Sequence, residues 1–212
     1  VATVLGTVIG AVSGYFRGWV DEILMRITDL FIVIPLLVLA AVLGKMAGAS
    51  TGSIITLALV LGLVTWTGLA RLVRGEILSL REREYVAAAQ AMGSKTSRVI
   101  FKHLIPNTMG VIIVNATFAI AGAILLESSL SYLGFGVKAP ESSLGLLISQ
   151  YQNAFTTRPW LFWWPGMIIV AIALSVNFLG DGLRDAFDPR QVGKKRRRRA
   201  GMFALPTRKE KP

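Results

Sequence analysis

An all-α membrane protein is the fold class predicted here, and three features of the sequence predict it. Hydrophobic residues make up 53% of the 212 positions, and mean hydropathy is +0.59. Only 17% of the residues are charged, against about a quarter in a soluble domain of this size. Long uncharged stretches recur along the chain, separated by connections that are mostly basic. The same apolar content excludes an intrinsically disordered chain.

The spans follow in order. Val1–Phe16 is uncharged but falls short of the roughly 20 residues a crossing helix needs. The chain also starts without Met or the basic segment of a secretory signal. The expectation is therefore the C-terminal part of a helix whose beginning is missing. Ile27–Gly44 is the second span, with Asp29 near its start and Pro35 expected to kink it. Met46–Ala70, Leu104–Leu126 and Pro159–Gly180 carry no charge for 25, 23 and 22 residues. At about 1.5 Å per residue each can cross a hydrocarbon core of about 30 Å. Ser142–Thr157 is uncharged too, but its Ser, Gln, Asn and Thr mark an external or re-entrant segment. About five transmembrane helices are thus expected, and six if one is missing upstream.

Basic residues set the orientation, because they collect on the cytoplasmic side. Five spans put all but Lys45, Lys138 and Arg158 of the 23 basic residues on one face. That face, which holds the C-terminus, is the expected cytoplasmic side. The net charge of +11 is concentrated: residues 190–212 hold ten Lys and Arg against the single acid Glu210. This divides the chain into a membrane domain, 1–189, and a basic tail, 190–212, expected to be disordered. The run Lys194–Arg199 resembles a nucleic-acid contact, but it follows a membrane span and has no aromatic before Phe203. Attraction to anionic lipid or simple control of topology explains it better.

Several function classes are excluded. There is no Cys and one His, His103. Disulfides, thiolate metal sites, Cys nucleophiles and multi-histidine metal centres are therefore absent. No phosphate loop of the form G-x-x-x-x-G-K-[ST] occurs; Gly44-Lys45 runs into Met46, and Gly193-Lys194 into Lys195. No nucleotide, metal or other cofactor is expected on this chain.

Individual residues carry two readings each. Gly6, Gly10 and Gly14 let helix backbones approach closely, within one subunit or between two. Glu127, near the outer end of the fourth span, either lines a path for a solute's amino group or sits solvated at the interface. Asp29 is expected to pair with an Arg. Asp181, Arg184, Asp185 and Asp188 form an expected ion-pair cluster after the last span. Trp160, Trp163 and Trp164 fit an aromatic belt.

Residues 71–106 are the most informative. Glu84–Met92 is a strong helix former interrupted by Gly93. Ser94-Lys95-Thr96-Ser97 supplies N-cap residue types for a second short helix, and Ile105-Pro106-Asn107 leads into the next span. Spacing alone leaves two readings open, a structural helical hairpin or a helix that docks in a partner's groove.

The run EYVAAAQAMGSKTSRVIFKHLIPN resembles the "EAA" loop of inner-membrane permeases in binding-protein-dependent ABC importers. Ala87-Ala88-Ala89 stands for the Glu-Ala-Ala triplet, with Ala87 in place of the Glu. Gly93 is the loop glycine, and His103-Leu104-Ile105-Pro106 the ending, of the form usual in the peptide-type branch. Gly14–Pro35, Ala123–Gly145 and Asn177–Arg190 resemble other segments of the dipeptide, oligopeptide and nickel permeases, C-type subunit. The resemblance implies a MetI-like ABC importer transmembrane domain with six helices when intact. It implies no enzyme activity of its own. A homologous B-type permease subunit would be the partner in the membrane, with two cytoplasmic ATPases that bind the ATP and an external solute-binding protein. Glu84, Ala87, Ala88, Ala89, Gly93, His103, Ile105, Pro106 and Asn107 would couple to the ATPases, with Glu84, three residues before Ala87, as the expected substitute for the motif Glu. A self-contained transporter or channel is the alternative, and a membrane scaffold a third class. Peptides, nickel chelates and related solutes all remain open as cargo.

Overall fold

The computed structural model describes residues 1–48, 54–138 and 140–187. These residues are helical with short connections, and no strand occurs among them. The basic tail and Asp188 lie outside the described residues.

Helix α1 (Ala2–Phe16) and helix α2 (Gly18–Val33) are joined by an elbow at Arg17 and Gly18, whose φ angles are +54° and +58°. Two consecutive positive φ values turn the chain sharply, a conformation that disfavours a side chain at Arg17 by roughly 1–2 kcal/mol. Helix α3 (Leu36–Gly48) follows α2 at an angle of 91°. The expected second span is therefore not one kinked helix but two helices at a right angle. The cause is local. Pro35 has no N–H, and it forces Ile34 into extended backbone at φ −74°, ψ 127°. Helix α2 also begins well before Ile27, through the charged residues Asp21, Glu22 and Arg26.

The third span is likewise a pair, α4 (Ile54–Val64) and α5 (Thr67–Arg81), bent by 42°. At the break the Thr65 hydroxyl donates to the Leu61 carbonyl at 2.7 Å, a side-chain bond that competes with the helical ladder. Trp66 is buried there and packs against Phe31 of α2, with ring centroids 5.7 Å apart.

Helix α6 (Glu84–Ala91) and the short α7 (Thr96–Arg98) come next. A π-helical stretch, Val99–Leu104, joins α7 to α8 (Ile105–Tyr132). Thr96–Tyr132 thus forms one helical run of 37 residues. The expected second short helix is not a separate element. It is an extension of the fourth span, and its N-cap is Lys95, with no side-chain cap bond. Helix α9 (Leu144–Tyr151) is too short to cross a bilayer, and Ser143 caps it by accepting from the Leu146 N–H at 3.1 Å. Helix α10 (Trp160–Phe187) covers the fifth expected span and keeps Pro165 in its second turn.

Among the described residues two helices are long and apolar enough to cross a membrane, and four if each bent pair counts as one span. Large apolar side chains face outward along α10, from Trp164 and Met167 through Leu174 to Phe178, each more than half exposed. Such a surface matches a hydrocarbon or protein surround rather than water. The exposed Trp160, Trp163 and Trp164 gather at its first turn.

The interior falls into two clusters. One joins Ala11 of α1, Leu69, Val73 and Ile77 of α5, Val86 of α6, Val99, Ile100 and Leu104 of the π segment, and Ile112 of α8. The other joins Ala40 of α3, Leu57, Leu61 and Val64 of α4, Leu126 and Leu130 of α8, and Val137.

Candidate functional site

The first cluster is built on a glycine seam. A Cβ on Gly6 would lie 2.8 Å from the Trp66 carbonyl oxygen, and on Gly14 2.9 Å from that of Arg74. On Gly10 it would overlap the Ala70 carbonyl more severely still. The three glycines thus match three carbonyls four residues apart on α5, so α1 and α5 run parallel with backbones in contact. Of the two readings of the glycines, the structure shows packing within the subunit.

Parallel packing brings the basic C-terminal half of α5 beside the α1–α2 elbow, where polar groups knit the two together. Arg74 grips Asp21 of α2 with two bonds, Nε to Oδ1 at 2.5 Å and Nη2 to Oδ2 at 2.6 Å. The Ser13 hydroxyl donates to the same Oδ1 at 2.6 Å. A bidentate guanidinium–carboxylate pair fixes angle as well as distance. Its side chains are 33% and 15% exposed, so it is screened less than the outer pairs Arg17–Glu82 and Arg71–Asp29. Asp29 thus has the Arg partner expected, supplied by α5. Arg81 donates to the Tyr15 carbonyl and lies over the Tyr15 ring, 5.3 Å from its centroid.

Helix α6 hangs from this framework. Val86 is fully buried in the first cluster and fixes the helix to it, and Ala89 on the same face is nearly as buried. Glu84, Tyr85, Ala87, Ala88, Ala91 and Met92 face outward. The sequence-predicted triplet is therefore divided: Ala89 anchors, while Ala87 and Ala88 present a small-residue surface beside Met92, which is 80% exposed. Gly93 has φ +76° with open space where a Cβ would point. Its requirement is conformational, since a left-handed residue ends the helix where a side chain would be strained. The Ser94 and Gly93 amides close that turn on the Ala89 and Gln90 carbonyls at 3.1 and 2.9 Å.

The remaining predicted residues sit at the root of α8. His103 and Ile105 are half-buried, and Pro106 and Asn107 are exposed. Asn107 Nδ2 donates to the His103 carbonyl at 2.5 Å. The π segment directly before Pro106 is the feature that sequence reasoning missed. A proline inside a helix lacks a donor and clashes with the carbonyl a turn earlier. Widening that turn by one residue accommodates it. The signal was present in Pro106-Asn107, a proline followed by a side-chain donor, but it was read as the entrance to a span.

Glu127 lies elsewhere, near the end of α8, half-buried on a cavity of about 810 Å³ bounded by the start of α1, α4, α8, α9 and α10. Ser131 Oγ donates to Glu127 Oε1 at 2.6 Å. Neither Glu127 nor the α6 residues touch one another, so the structure separates the predicted sites into two regions at opposite ends of α8. Asp181, Arg184 and Asp185 are exposed on the last turns of α10. No group of three His, Cys, Asp or Glu suited to a metal occurs among the described residues.

Residues 6–193 match the family described as the binding-protein-dependent transport system inner membrane component. Curated relatives include the oligopeptide transport system permease proteins OppC of Mycobacterium bovis and Mycobacterium tuberculosis. Each is 42% identical over 189 residues, covering 89% of this chain and 65% of the relative. The protein of the same name in Bacillus subtilis is 41% identical over 186 residues, covering 88% of this chain and 60% of the relative. The chain therefore spans less than two thirds of the length of these relatives. An all-α, multi-pass membrane architecture, the α6 element with its left-handed glycine, and a family match over most of the sequence agree: this chain belongs to the family of binding-protein-dependent transport system inner membrane components.

Proposed function

We propose that this chain is the transmembrane permease subunit of an ATP-driven ABC importer, forming half of a translocation pathway for peptides. The similarity to oligopeptide permeases favours peptides over nickel chelates as cargo. A homologous B-type permease subunit completes the pathway, two cytoplasmic ATPases supply the energy, and an external solute-binding protein delivers the cargo. The chain itself hydrolyses nothing and holds no cofactor; the ATP belongs to the ATPases. It lies in the cell inner membrane with its C-terminus and basic tail on the cytoplasmic side. The parallel run of α1 and α5 supports this orientation, because it brings Arg17, Arg74 and Arg81 to one end.

The observation that carries the reading is the construction of α6. Val86 ties it to the first cluster and Ala89 is buried on the same face, while Ala87, Ala88 and Met92 leave an open face of small and pliable side chains. A short helix with such a face fits a groove on a partner. Movement of the ATPases would push α6 as a rigid body. The π segment would pass that push into α8 directly, and α5 would pass it into α1 through the glycine seam, a domain rearrangement of the hinge-and-shear kind. Glu84, at the start of α6, Gly93, His103, Ile105, Pro106 and Asn107 shape and root this element.

The test is Gly93→Trp in the assembled complex. A φ of +76° costs an L residue roughly 1–2 kcal/mol, and the indole stands on the docking face. Substrate-stimulated ATP hydrolysis and peptide uptake should both fall at least tenfold while the subunits still co-purify. If both survive unchanged, the coupling role is wrong. Purification as an active, ATP-independent transporter would overturn the whole reading in favour of a self-contained carrier or channel.

A further inference from the structure

We infer that α2 is an in-plane membrane helix, whose outer face of Trp19, Val20, Ile23, Ile27 and Leu30 inserts among lipids at the boundary between headgroups and acyl chains. The inference requires only that the chain spans a membrane. It does not depend on the cargo or the energy source proposed above.

Helix α2 has three distinct sides. At about 100° per residue, Trp19, Leu30, Ile23, Ile27 and Val20 share an arc of about 100°. All five are exposed, Trp19 at 85% and Leu30 at 67%. The inner side carries the fully buried Thr28, Asp21 bonded to Arg74, and Phe31 against Trp66. Along the third side run the exposed Glu22 and Arg26, and Asp29 with its partner Arg71.

Two opposed constraints set the depth of this helix. Asp21, Glu22, Arg26 and Asp29, with Arg71 and Arg74 of α5 beside them, are too costly for the hydrocarbon core. The outer face, led by a Trp, is too apolar for water. The headgroup boundary satisfies both, and Trp is enriched there. The direction of the helix agrees. Helix α3 is uncharged from Leu36 to Gly44, and its Ala40 joins Leu57 and Leu61 of α4 in the second cluster. It therefore enters the bilayer, and α2, at 91° to it, runs along the surface.

Continuity identifies lipid, rather than a groove on a protein, as the occupant. Ile32 and Val33 in the last turn of α2 are exposed as well, and the apolar surface passes into the exposed Leu36, Leu37 and Val38 of α3. The side of α2 that continues the exposed side of a membrane-embedded helix meets the same lipid. Its charges cancel, since Arg74 and Arg71 pair with Asp21 and Asp29, and Glu22 offsets Arg26. The contact is therefore apolar insertion and not attraction to anionic headgroups.

The absence of Cys from this chain makes the test direct. Ile23→Cys and, separately, Ile27→Cys are spin-labelled in the full chain, purified with the subunits that accompany it after their reactive thiols are removed. The protein is reconstituted in phosphatidylcholine nanodiscs. Relaxation of the label by oxygen, which concentrates among acyl chains, is compared with relaxation by a water-soluble nickel chelate. At both positions oxygen should exceed the chelate by about threefold or more, and at Glu22→Cys the order should reverse. Exchanging about a third of the lipid for phosphatidylglycerol should leave these ratios unchanged. A chelate excess at 23 and 27 would place the face in water and overturn the inference. Shielding from both reagents would show it covered by protein, with the same consequence. An oxygen excess at Glu22→Cys equal to that at Ile23→Cys would put α2 inside the hydrocarbon and overturn the in-plane placement. An oxygen excess seen only with phosphatidylglycerol would overturn apolar insertion as its cause.

Discussion

The two ends of α8 are built on opposite plans. At its root, the first cluster closes completely: Val73, Ile77, Val86, Val99 and Leu104 are all fully buried, and the carboxylate of Asp21 is met by both Arg74 and Ser13. At its tip, the second cluster packs on one side only. The other side opens into a cavity lined by Glu127, whose carboxylate accepts from Ser131 and meets no Lys or Arg among the described residues. The difference suits a division of labour. A region that transmits force must not deform, because slack would absorb the stroke. A region that opens on a cavity is free to change shape without loosening the rigid end.

The sharpest way to break this contrast is to loosen the rigid end. Gly10→Val should have the largest effect. Its Cβ would overlap the Ala70 carbonyl and press on Val73, and both are backbone or buried atoms that cannot swing aside. Overpacking typically costs about 1–3 kcal/mol, and forcing two backbones apart exceeds that. Loss of folded protein from the detergent extract is expected, read as size-exclusion yield and melting temperature. Gly68→Val on α5 is the control, because open space surrounds it, and it should be tolerated.

Next in size is the Asp21–Arg74 clamp. Arg74→Ala leaves Asp21 with only the Ser13 hydroxyl and should cost about 2–3 kcal/mol, the range for a hydrogen-bonded charge left partly unpaired. The exposed pair Arg17–Glu82 is the comparison. With side chains 44% and 66% exposed, Glu82→Gln should change stability by less than about 1 kcal/mol. Thermal unfolding of the two variants decides whether the rigid end owes its stiffness to the inner clamp. Equal losses would show that it does not.

How far the sequence discloses this plan varies by element, for physical reasons. Helices α8 and α10 were legible because uncharged runs of more than 20 residues have few alternatives in water or lipid. The helical core of α6 and its termination at Gly93 were legible from propensity alone. Helix α2 was not, since Asp21, Glu22 and Arg26 broke the apolar run, although Asp21 is met by Arg74 and Ser13 and the other two face outward. The right angle at Ile34-Pro35 exceeded the expected kink, because the residue before a proline leaves the helical region altogether. The break at Thr65-Trp66 had no compositional mark; it depends on a hydroxyl bonding back and on Trp66 meeting Phe31 of another helix. At the site, the residue types were readable but their division was not. Nothing in Ala87-Ala88-Ala89 tells which alanine faces the core, as that depends on where α5 and the π segment lie. Glu127 was visible as an isolated charge, whereas its bond from Ser131 and the cavity beside it emerge only from the packing of α4, α8 and α9.

The smallest predicted effect concerns Pro106, and it asks what holds the rigid end in register. The π segment shifts residues 96–104 by one position relative to α8, and one position corresponds to about 100° of helix rotation. If Pro106 alone maintained that shift, Pro106→Ala would restore a donor, let the turn tighten and swing α7 and α6 about the α8 axis. Against this stand Val99, Ile100 and Leu104, which are 0%, 6% and 0% exposed. Rotating them out of the first cluster would forfeit roughly 1.5–3 kcal/mol for each side chain, more than the single hydrogen bond regained at about 1 kcal/mol. The buried trio therefore wins, and the π segment should persist in Pro106→Ala. Melting should shift by no more than about 1 kcal/mol equivalent, and peptide uptake per ATP hydrolysed should fall by at most about twofold. Leu104→Ala, which removes the packing and leaves the proline, should lower uptake per ATP more than Pro106→Ala does. The reverse order would mean that the missing N–H, rather than burial, aligns α6 with the span.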